Sequence, residues 1–359
     1  MKAVVLKAFG TPLAVEDHPD PERGTGEVVV DVAASRVLAY AGEVFSGARG
    51  YLLNLPVIPG AGAVGRVRAV GPDATRLQPG DWVYCDPTIR ARDDVLAPDI
   101  TLQGLSARGP GGQMLQRHFG NGAWADQLLL PTENAVPIGE IAPADAPRWC
   151  VLGMLLVPYG GFRAAALRPG ETVLVNGATG GFGGAAVAVA LGMGAGCVVA
   201  TGRNPAALAD LERVFGPRVR GLRFTGDEDA DREAMIARAP GPIDCVLDML
   251  PPAASPAWAR AAVMAVRRNG RVALMGGIGM NGGGGLDLPY AWIMRNGITI
   301  HGQWMYPREA VPEMAAMLRA GLIGLDHYRI ATFPLDRVAE AVGHAATHAG
   351  PFSQTIICP

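Results

Sequence analysis

The sequence is almost without net charge. Its 31 Lys and Arg residues nearly balance its 33 Asp and Glu residues, which leaves a formal charge of −2 at pH 7. Proteins that bind nucleic acid or an acidic membrane surface usually present a strong basic patch, so this balance gives no reason to expect either partner. With 49% hydrophobic and 18% charged residues, the composition is typical of a soluble globular enzyme.

Cysteine is scarce and scattered. The chain has five cysteines, which is an odd number, and no two of them form a C-x-x-C pair. They are Cys85, Cys150, Cys197, Cys245 and Cys358. This spacing argues against a disulfide framework and equally against a structural zinc site built from cysteines.

Long uninterrupted apolar runs are also absent. Even residues 180–200 are broken by glycines and do not have the composition of a transmembrane helix. The first ten residues, MKAVVLKAFG, lead directly into a strand-like run and lack the apolar core and cleavage site of a secretory signal. We therefore expect a cytoplasmic protein without a membrane partner.

Glycine, in contrast, is abundant, with 49 residues in the chain. Many of these glycines fall in residues 171–204, which read ETVLVNGATGGFGGAAVAVALGMGAGCVVATGRN. An apolar β-branched run at 172–175 leads into a glycine-rich turn, then into an Ala- and Val-rich helix, and then into a second apolar run at 198–201. This order predicts a strand–helix–strand unit around which the rest of the chain is organised.

The turn in this unit has the spacing of a pyrophosphate cradle. Ala178, Gly180 and Gly183 occupy the three positions of a G-x-G-x-x-G fingerprint, with alanine at the first. Glycines in such a turn let the backbone approach a pyrophosphate, which rests on the N–H groups and the positive dipole end of the helix. The predicted dinucleotide contacts in this turn are Ala178, Thr179, Gly180, Gly181, Phe182 and Gly183.

Two patterns divide the whole chain. Residues 1–137 read as short strands between Pro/Gly turns, apart from an irregular segment at 86–121, and predict a mostly antiparallel, partly closed β-barrel domain. From residue 172 strands alternate with helices, which predicts an α/β fold with a doubly wound parallel sheet. Strands are predicted there at 172–175, 197–201, 219–224, 244–248 and 271–275. The predicted domains are 1–153 together with 299–359, and 154–298.

Several stretches together resemble the medium-chain dehydrogenase/reductase superfamily. They are GAGAVG at 60–65, LQPGDWV at 77–83, GAWAD at 122–126 and the strand–helix–strand unit. The resemblance covers nearly the whole chain. It implies a GroES-like β-barrel domain joined to a Rossmann domain, an oxidoreductase acting on a small-molecule substrate, and a homodimer.

The metal positions of that family are not kept. Zinc alcohol dehydrogenases hold their catalytic zinc with a Cys, a Gly-His-Glu and a later Cys, and the matching places here are Leu38, 60–62 (Gly-Ala-Gly) and about Met154. None of these residues is a good zinc ligand, and the four closely spaced cysteines of the structural-zinc lobe are missing after Cys85. The resemblance therefore implies no bound metal and the zinc-independent branch, which includes quinone oxidoreductases, enoyl reductases and alkenal double-bond reductases.

Hydride transfer without a Lewis acid suits an acceptor that is already activated, such as a quinone, an enone or alkenal, or a related carbonyl. We therefore expect an NADPH-dependent oxidoreductase of this type. Two alternatives remain at the level of sequence. One is a dinucleotide-binding protein without turnover, and the other is an alcohol dehydrogenase-like enzyme with non-standard metal ligands.

The cofactor preference is predicted from the residues at the end of the second strand of this unit. NAD-preferring enzymes carry an acidic residue there, whereas this chain has Gly202, Arg203 and Asn204. Because no carboxylate repels a 2′-phosphate and Arg203 can pair with one, NADP(H) is the predicted cofactor. The alternative is that Arg203 simply faces solvent at a helix start. Three further cofactor contacts are predicted at other strand ends, Asp248, Gly276 and Gly277, with a structural cap as the alternative for Asp248.

Two tyrosines are the candidate proton donors. Tyr40 lies two residues after Leu38, where the resemblance places the Ser or Thr of a proton relay in the zinc enzymes. Tyr51 is the rival, because the enoyl reductases of the family keep a functional tyrosine in the loop that follows. The alternative for each tyrosine is that its ring only forms part of the wall of an apolar pocket.

Overall fold

A computed structural model of the chain describes residues 1–280, 282 and 284–359. The strands in chain order are β1 (Lys2–Val5), β2 (Ala14–Asp17), β3 (Glu27–Val37), β4 (Ala63–Val70), β5 (Trp82–Cys85), β6 (Thr88–Arg90), β7 (Ile100–Leu102), β8 (Ser106–Arg108), β9 (Gln127–Pro131), β10 (Ala135–Pro137), β11 (Thr172–Asn176), β12 (Cys197–Gly202), β13 (Val219–Arg223), β14 (Ile243–Asp248), β15 (Val266–Leu274), β16 (Thr299–Gly302), β17 (Arg329–Phe333) and β18 (Ser353–Ile357).

Eleven α-helices lie within the described residues. They are α1 (Ala41–Phe45), α2 (Gly109–Phe119), α3 (Ala146–Trp149), α4 (Leu152–Ala164), α5 (Gly181–Gly192), α6 (Pro205–Phe215), α7 (Glu228–Arg238), α8 (Pro256–Met264), α9 (Tyr290–Asn296), α10 (Ala310–Arg319) and α11 (Val338–Thr347). Within the described residues, no helix combines the length and the apolar character that crossing a bilayer requires.

The chain divides into two compact units. The first contains Met1–Gly153, Tyr328–Ala349 and Ser353–Pro359, and the second contains Met154–His327 and Gly350–Phe352. The sequence had placed the return to the first domain at residue 299. In the structure residues 299–327 group with the second unit, because β16 pairs with β15 and extends the parallel sheet instead of leaving it.

The long strand β3 organises the first unit. It pairs antiparallel with β4, β9 and β18 in a sheet of order β10-β5-β4-β3-β18-β17, in which only β17 and β18 run parallel. Val28, Val30 and Val32 alternate along β3 and point into one apolar core with Val67 and Leu128. Their period-2 spacing places these valines on one face of β3, and the antiparallel sheet forms the predicted GroES-like domain.

The segment at 86–121 is more regular than its sequence suggested. It contains the antiparallel sheet β6-β7-β8 and the helix α2, which carries Pro110 in its first turn. The strands β6, β7 and β8 have three residues each, which is too short to show an alternating pattern. The glycine-rich residues 109–112 have the composition of a loop, although they form the first turn of α2. The prediction of an irregular loop is therefore wrong for most of this segment.

The second unit is a parallel sheet of order β13-β12-β11-β14-β15-β16. Numbered along the chain, this order is 3-2-1-4-5-6, the doubly wound Rossmann arrangement. β11 and β12 are buried at every residue, and β14 is buried at all but one, as expected for central parallel strands covered on both faces. The predicted strands at 172–175, 197–201 and 244–248 lie within these three, which confirms the α/β fold of this part of the chain.

Candidate functional site

The turn between β11 and α5 has an open helix N-terminus. β11 ends at Asn176, Gly177 reverses the chain with a φ of 89°, and α5 begins at Gly181 behind an extended Gly180. A Cβ at Gly183 would lie 2.1 Å from Gly177 O, so only glycine lets the helix start this close to the strand end. A Cβ at Gly180 would meet nothing nearer than 4.0 Å. Open space at a helix N-terminus is what a pyrophosphate requires.

Gly177 is the residue of this turn that the fingerprint omits. The fingerprint starts at Ala178, but the positive φ belongs to the residue before it. The Asn176-Gly177 dipeptide is the signal that identifies it, because Asn-Gly favours turns with positive φ. Ala178 itself is fully buried and donates its N–H to Thr201 O at 2.7 Å, so it fixes the turn to β12.

The end of β12 is closely packed against the same turn. A Cβ at Gly202 would lie 2.4 Å from Cγ2 of Thr179, so this glycine is needed for packing within the unit. Asn204 caps α6, where its Oδ1 accepts hydrogen bonds from the backbone of Ala206 at 3.0 Å and Ala207 at 3.2 Å. Both residues therefore have structural roles, and their contact with a cofactor stays a prediction.

Arg203 is exposed at this edge and has an aromatic neighbour. Its guanidinium carbon lies 5.7 Å from the ring centroid of Trp258, and that indole stacks on Phe224 with centroids 5.0 Å apart. A cation held near an indole face loses less freedom when it pairs with an anion. Sequence reasoning missed Trp258, because the indole comes from α8, more than fifty residues along the chain.

Three polar side chains join the ends of β12, β11 and β14. Thr201 Oγ1 donates to Asn176 Oδ1 at 2.9 Å, and Asn176 Nδ2 donates to Asp248 Oδ1 at 2.7 Å. Burial raises the pKa of Asp248 to about 6, although its hydrogen bonds oppose the shift. A Cβ at Gly276 would lie 2.4 Å from Asp248 Oδ2, and one at Gly277 would lie 2.6 Å from the ring of Pro252. Close packing within the unit thus accounts for both glycines.

In the first unit the two candidate tyrosines lie together. Tyr40 immediately precedes α1, and its ring meets that of Tyr51 edge to face with centroids 6.5 Å apart. Arg49 joins them: its guanidinium carbon lies 4.0 Å from the centroid of the Tyr40 ring, and its Nε donates to Tyr51 Oη at 3.2 Å. Glu43 holds the other side of the guanidinium through Nη1 at 2.7 Å. Burial raises the pKa of the Tyr40 phenol above its ordinary value.

No motif identified Arg49. It lies between Ala48 and Gly50 in a short loop, and its role depends on two rings that only the fold brings to either side of it. The aromatic-wall reading of Tyr40 and Tyr51 remains compatible with this packing, so their chemical role stays a prediction.

Two of the positions matched to a catalytic zinc site, Ala61 and Gly62, line a small niche in the first unit, whereas Leu38 and Met154 are not among its lining residues. The lining residues are Arg36, Ala61, Gly62, Ala63, Tyr84, Cys150 and Gly153. A Cβ at Gly153 would lie 2.5 Å from Tyr84 Oη, and one at Gly62 would lie 3.0 Å from it. The phenol oxygen of Tyr84 therefore occupies the space into which side chains at positions 62 and 153 would project.

A zinc ion does not fit this donor set. Arg36 brings a fixed positive charge, and the one thiol, Cys150, has its pKa raised by burial to about 12, which keeps it protonated. Elsewhere in the part of the chain that the structure describes, no group of three or more His, Cys, Asp and Glu side chains could hold a metal ion.

Two family models match the chain. Residues 24–140 match the alcohol dehydrogenase GroES-like domain, and residues 181–320 match the zinc-binding dehydrogenase domain. Each covers one of the two patterns seen in the sequence.

Curated relatives are similar over half or most of the chain. An alcohol dehydrogenase of Rhizobium meliloti is 31% identical over 54% of this chain and 55% of its own length. An acryloyl-coenzyme A reductase of Metallosphaera sedula is 32% identical over 54% of this chain and 57% of its own. A sorbitol dehydrogenase of Bacillus subtilis is 24% identical over 96% of this chain and 93% of its own length. The chain thus spans little more than half the length of the first two relatives.

Solved structures share the whole fold. An alcohol dehydrogenase from E. coli CFT073, complexed with NADH, has a TM-score of 0.81 at 18% identity and covers 100% of this chain and 99% of its own. A chain from Sinorhizobium meliloti described as a zinc-binding dehydrogenase, bound to NADP, has a TM-score of 0.79 at 20% identity over 100% and 99% of the two chains. At these identities the likeness concerns the fold alone.

Proposed function

The chain belongs to the medium-chain dehydrogenase/reductase superfamily, and from this premise we propose that it is an NADPH-dependent oxidoreductase that works without zinc. Its proposed acceptors are quinones, enones, alkenals and related activated carbonyl compounds. The observation that carries the proposal is the niche of the first unit, where Ala61 and Gly62 occupy positions matched to metal ligands and Arg36, Tyr84 and Gly153 line the same space.

The chemistry of the acceptor follows from that niche. Oxidation of an ordinary alcohol needs a Lewis acid to stabilise the alkoxide, and these residues do not provide a metal site. A conjugated acceptor moves the negative charge onto its own oxygen, so hydrogen bonds and a proton donor suffice. The acryloyl-coenzyme A reductase among the relatives is named for an α,β-unsaturated thioester, and this supports the double-bond reductase type.

The second unit is proposed to hold NADP(H). The N–H groups at the start of α5 and the open space at Gly180 suit a pyrophosphate, and the exposed Arg203 suits a 2′-phosphate. When bound, the cofactor supplies the hydride. One structural neighbour contains NADP and another NADH, so the preference for NADPH rests on Arg203 and on the absence of an acidic residue at positions 202–204.

The first unit is proposed to supply the proton. Because Arg49 donates its Nε–H to Tyr51 Oη, the hydroxyl hydrogen of Tyr51 remains to be donated to another group. Burial raises the pKa of Tyr40 above its ordinary value, which makes that phenol a poor proton donor and favours a role in positioning Arg49. Tyr51 is therefore the proposed donor, with Tyr40 as its alternative.

The test is an acceptor panel with purified protein. NADPH oxidation is followed at 340 nm with an enone, an alkenal, acryloyl-coenzyme A and a quinone, with NADH in parallel and metal content measured on the same sample. We expect turnover of at least one acceptor, a preference for NADPH and no loss of rate with a chelator. Tight binding of NADPH without oxidation by any acceptor would favour a non-enzymatic dinucleotide-binding protein, and stoichiometric zinc would favour an alcohol dehydrogenase with unusual ligands.

A homodimer is proposed as the assembly. The outer strand β16 is only partly buried, and nearby α9 exposes Tyr290 at 81% and Met294 at 61%. An open strand edge beside exposed apolar side chains is a surface that a second copy can cover. Light scattering of the eluted protein tests this, and a monomeric mass at micromolar concentration contradicts it.

A further inference from the structure

We propose that His344 and His348 form a binding site for one divalent transition-metal cation, with Cu²⁺ and Zn²⁺ as the ions that suit it. The two histidines lie one helical turn apart at the carboxyl end of α11, in the first unit. This part of the molecule has no role in the proposed function, so the inference adds a second kind of ligand to the chain.

The first step concerns the spacing of the two rings. The backbone N–H of His348 donates to His344 O at 2.9 Å, so the helical i, i+4 spacing holds up to this residue. The rings are parallel within 8°, and their centroids are 4.1 Å apart. Two imidazole nitrogens that share one ion lie about 2 Å from it and therefore about 3 Å from each other. A small tilt of the stacked rings brings their nitrogens to a shared ion, as in other i, i+4 histidine pairs.

The second step concerns the nitrogen that His348 offers to a metal. Its Nδ1 lies 3.2 Å from the carbonyl oxygen of His344, which can only accept a hydrogen bond, so Nδ1 carries the hydrogen. Thr347 Oγ1 also accepts from this nitrogen at 2.9 Å, because its own hydrogen is donated to Gly343 O at 3.0 Å. The lone pair of the imidazole is therefore on Nε2, at the ring edge that points away from Cβ.

The third step concerns His344, which has a matching arrangement. Its Nδ1 lies 2.9 Å from Thr355 Oγ1, a hydroxyl that can accept the ring hydrogen and leave the lone pair on Nε2. Phe333 packs on the ring with centroids 5.3 Å apart, which limits the rotation of the imidazole. A metal-ligating histidine usually binds the ion with one ring nitrogen and donates from the other to a protein group, and both histidines can do so here.

Both Nε2 atoms are open to an ion from solution. The ring of His348 is exposed and His344 is half-buried, and among the described residues neither Nε2 has a hydrogen-bond partner or is closed off from water. Burial and the neighbouring imidazole lower the pKa of His344, so this ring is neutral at pH 7 and can bind a cation. The last carbonyl groups of α11 add a negative dipole end, which favours positive charge.

The donor set decides which ions suit the site. Imidazole is a ligand of copper, zinc and nickel, and with the same ligands Cu²⁺ binds more tightly than Zn²⁺. Mg²⁺ and Ca²⁺ require oxygen ligands and are therefore not expected to bind. Within the described part of the chain no third His, Cys, Asp or Glu side chain joins the pair. Water must complete the coordination, and the affinity comes from chelation by the two rings.

The test titrates Cu²⁺ alone into the purified protein, without cofactor or acceptor, in a buffer that does not chelate metals. The wild type should bind one equivalent tightly, with nitrogen hyperfine splitting from imidazole in the electron paramagnetic resonance spectrum. Zn²⁺ should compete for the site, and Mg²⁺ should not. His344→Ala and His348→Ala should each raise the Cu²⁺ dissociation constant at least about 10-fold, because a single ring cannot chelate. Thr355→Val should weaken binding by a smaller factor, since it removes only the acceptor on Nδ1.

The matched control keeps the number of histidines and changes their spacing. Gly343→His combined with His344→Ala places the two rings at i and i+5, and a side chain at position 343 enters open space. This spacing turns the rings about 140° away from each other around the helix, so the variant should bind Cu²⁺ as weakly as His344→Ala. His18→Ala, which removes a histidine elsewhere in the first unit, should bind Cu²⁺ like the wild type.

A second readout follows from the helix itself. Because the two rings have this spacing only while α11 is folded, Zn²⁺ should raise the urea midpoint of the wild type and leave that of the double variant His344→Ala/His348→Ala unchanged. The double variant should reduce the acceptors of the panel at the wild-type rate. Zinc bound at this pair is thereby distinguished from a catalytic metal.

The result for this site is independent of the result for the proposed function. Weak Cu²⁺ binding by both single variants and by the spacing variant supports the site, whether or not the wild type reduces any acceptor. If the wild type binds Cu²⁺ no more tightly than the double variant does, or if the spacing variant binds it as tightly as the wild type does, the inference is overturned.

Discussion

The candidate sites of the two units differ in the kind of surface that they offer to a ligand. At the carboxyl edge of the parallel sheet, Thr201, Asn176 and Asp248 satisfy one another, and the surface offered to a ligand is mostly backbone. In the first unit, Arg36 and Tyr84 lie at a niche in which glycines leave space around the hydroxyl. Under the proposed function, the second unit binds the cofactor through its main chain and the first unit acts on the substrate through side chains.

The largest expected effect concerns the main chain of the second unit. Gly183→Ala places a methyl group 2.1 Å from Gly177 O, so either the helix or the turn must move. We expect a loss of about 3 kcal/mol in the free energy of unfolding and of most NADPH affinity. Urea unfolding and fluorescence titration measure the two quantities. Gly180→Ala is the matched control, because its methyl group enters open space: it should keep stability while weakening NADPH binding, and equal behaviour of the two variants would contradict the packing argument.

The second prediction concerns the pH dependence of stability. Burial raises the pKa of Asp248 to about 6 from an ordinary value of 3.8. Between these values the folded protein binds more protons than the unfolded chain, so the free energy of unfolding falls as pH rises and levels off above pH 6. This difference in pKa corresponds to at most about 3 kcal/mol in the free energy of unfolding.

Urea unfolding of the wild type and of Asp248→Asn from pH 4.5 to 8 measures this effect. The variant should lack the fall that the wild type shows between pH 4.5 and 6.5, and Asp210→Asn, at a partly exposed position of α6, should retain it. Parallel profiles for the wild type and Asp248→Asn would mean that the carboxyl group is better solvated than its burial indicates.

The third prediction addresses the proton donor of the first unit. Tyr51→Phe removes the hydroxyl that Arg49 contacts, and kcat should fall about 30-fold with little change in KM. Tyr40→Phe keeps the ring that faces the guanidinium, so its effect should be below threefold. A larger fall for Tyr40→Phe than for Tyr51→Phe would exchange the roles of the two residues.

The smallest expected effect concerns cofactor choice. Arg203→Glu should raise the NADPH dissociation constant about 10-fold and leave that of NADH nearly constant, since an exposed charge pair contributes modestly. Arg213→Glu, on the exposed side of α6, controls for the change in net charge. If Arg203→Glu weakens both cofactors equally, Arg203 is only a helix-start residue.

The sequence predicts the second unit better than it predicts the first. The second unit could be predicted because its central strands β11, β12 and β14 are largely apolar runs and its turn is marked by glycines only a few residues apart. The start of α6 is marked in the sequence as well, because Asn204 is an N-cap residue and Pro205 follows it.

The candidate site of the first unit is harder to predict from the sequence. Arg36, Tyr84 and Gly153 come from β3, β5 and the start of α4, so no local pattern joins them. Arg49 and Trp258 were missed for the same reason. The empty metal positions could be predicted by resemblance, but not the groups that fill the space, because that depends on how three distant segments pack.

Gly153 has an evolutionary consequence. A cysteine at this position would bring its Cβ to 2.5 Å from Tyr84 Oη, so a mutation toward a metal-binding side chain meets a steric barrier unless Tyr84 changes as well. Neither substitution alone restores a ligand set, and each alone damages the present packing. The two positions are therefore coupled, and we expect the effects of substituting Gly153 and Tyr84 to be non-additive.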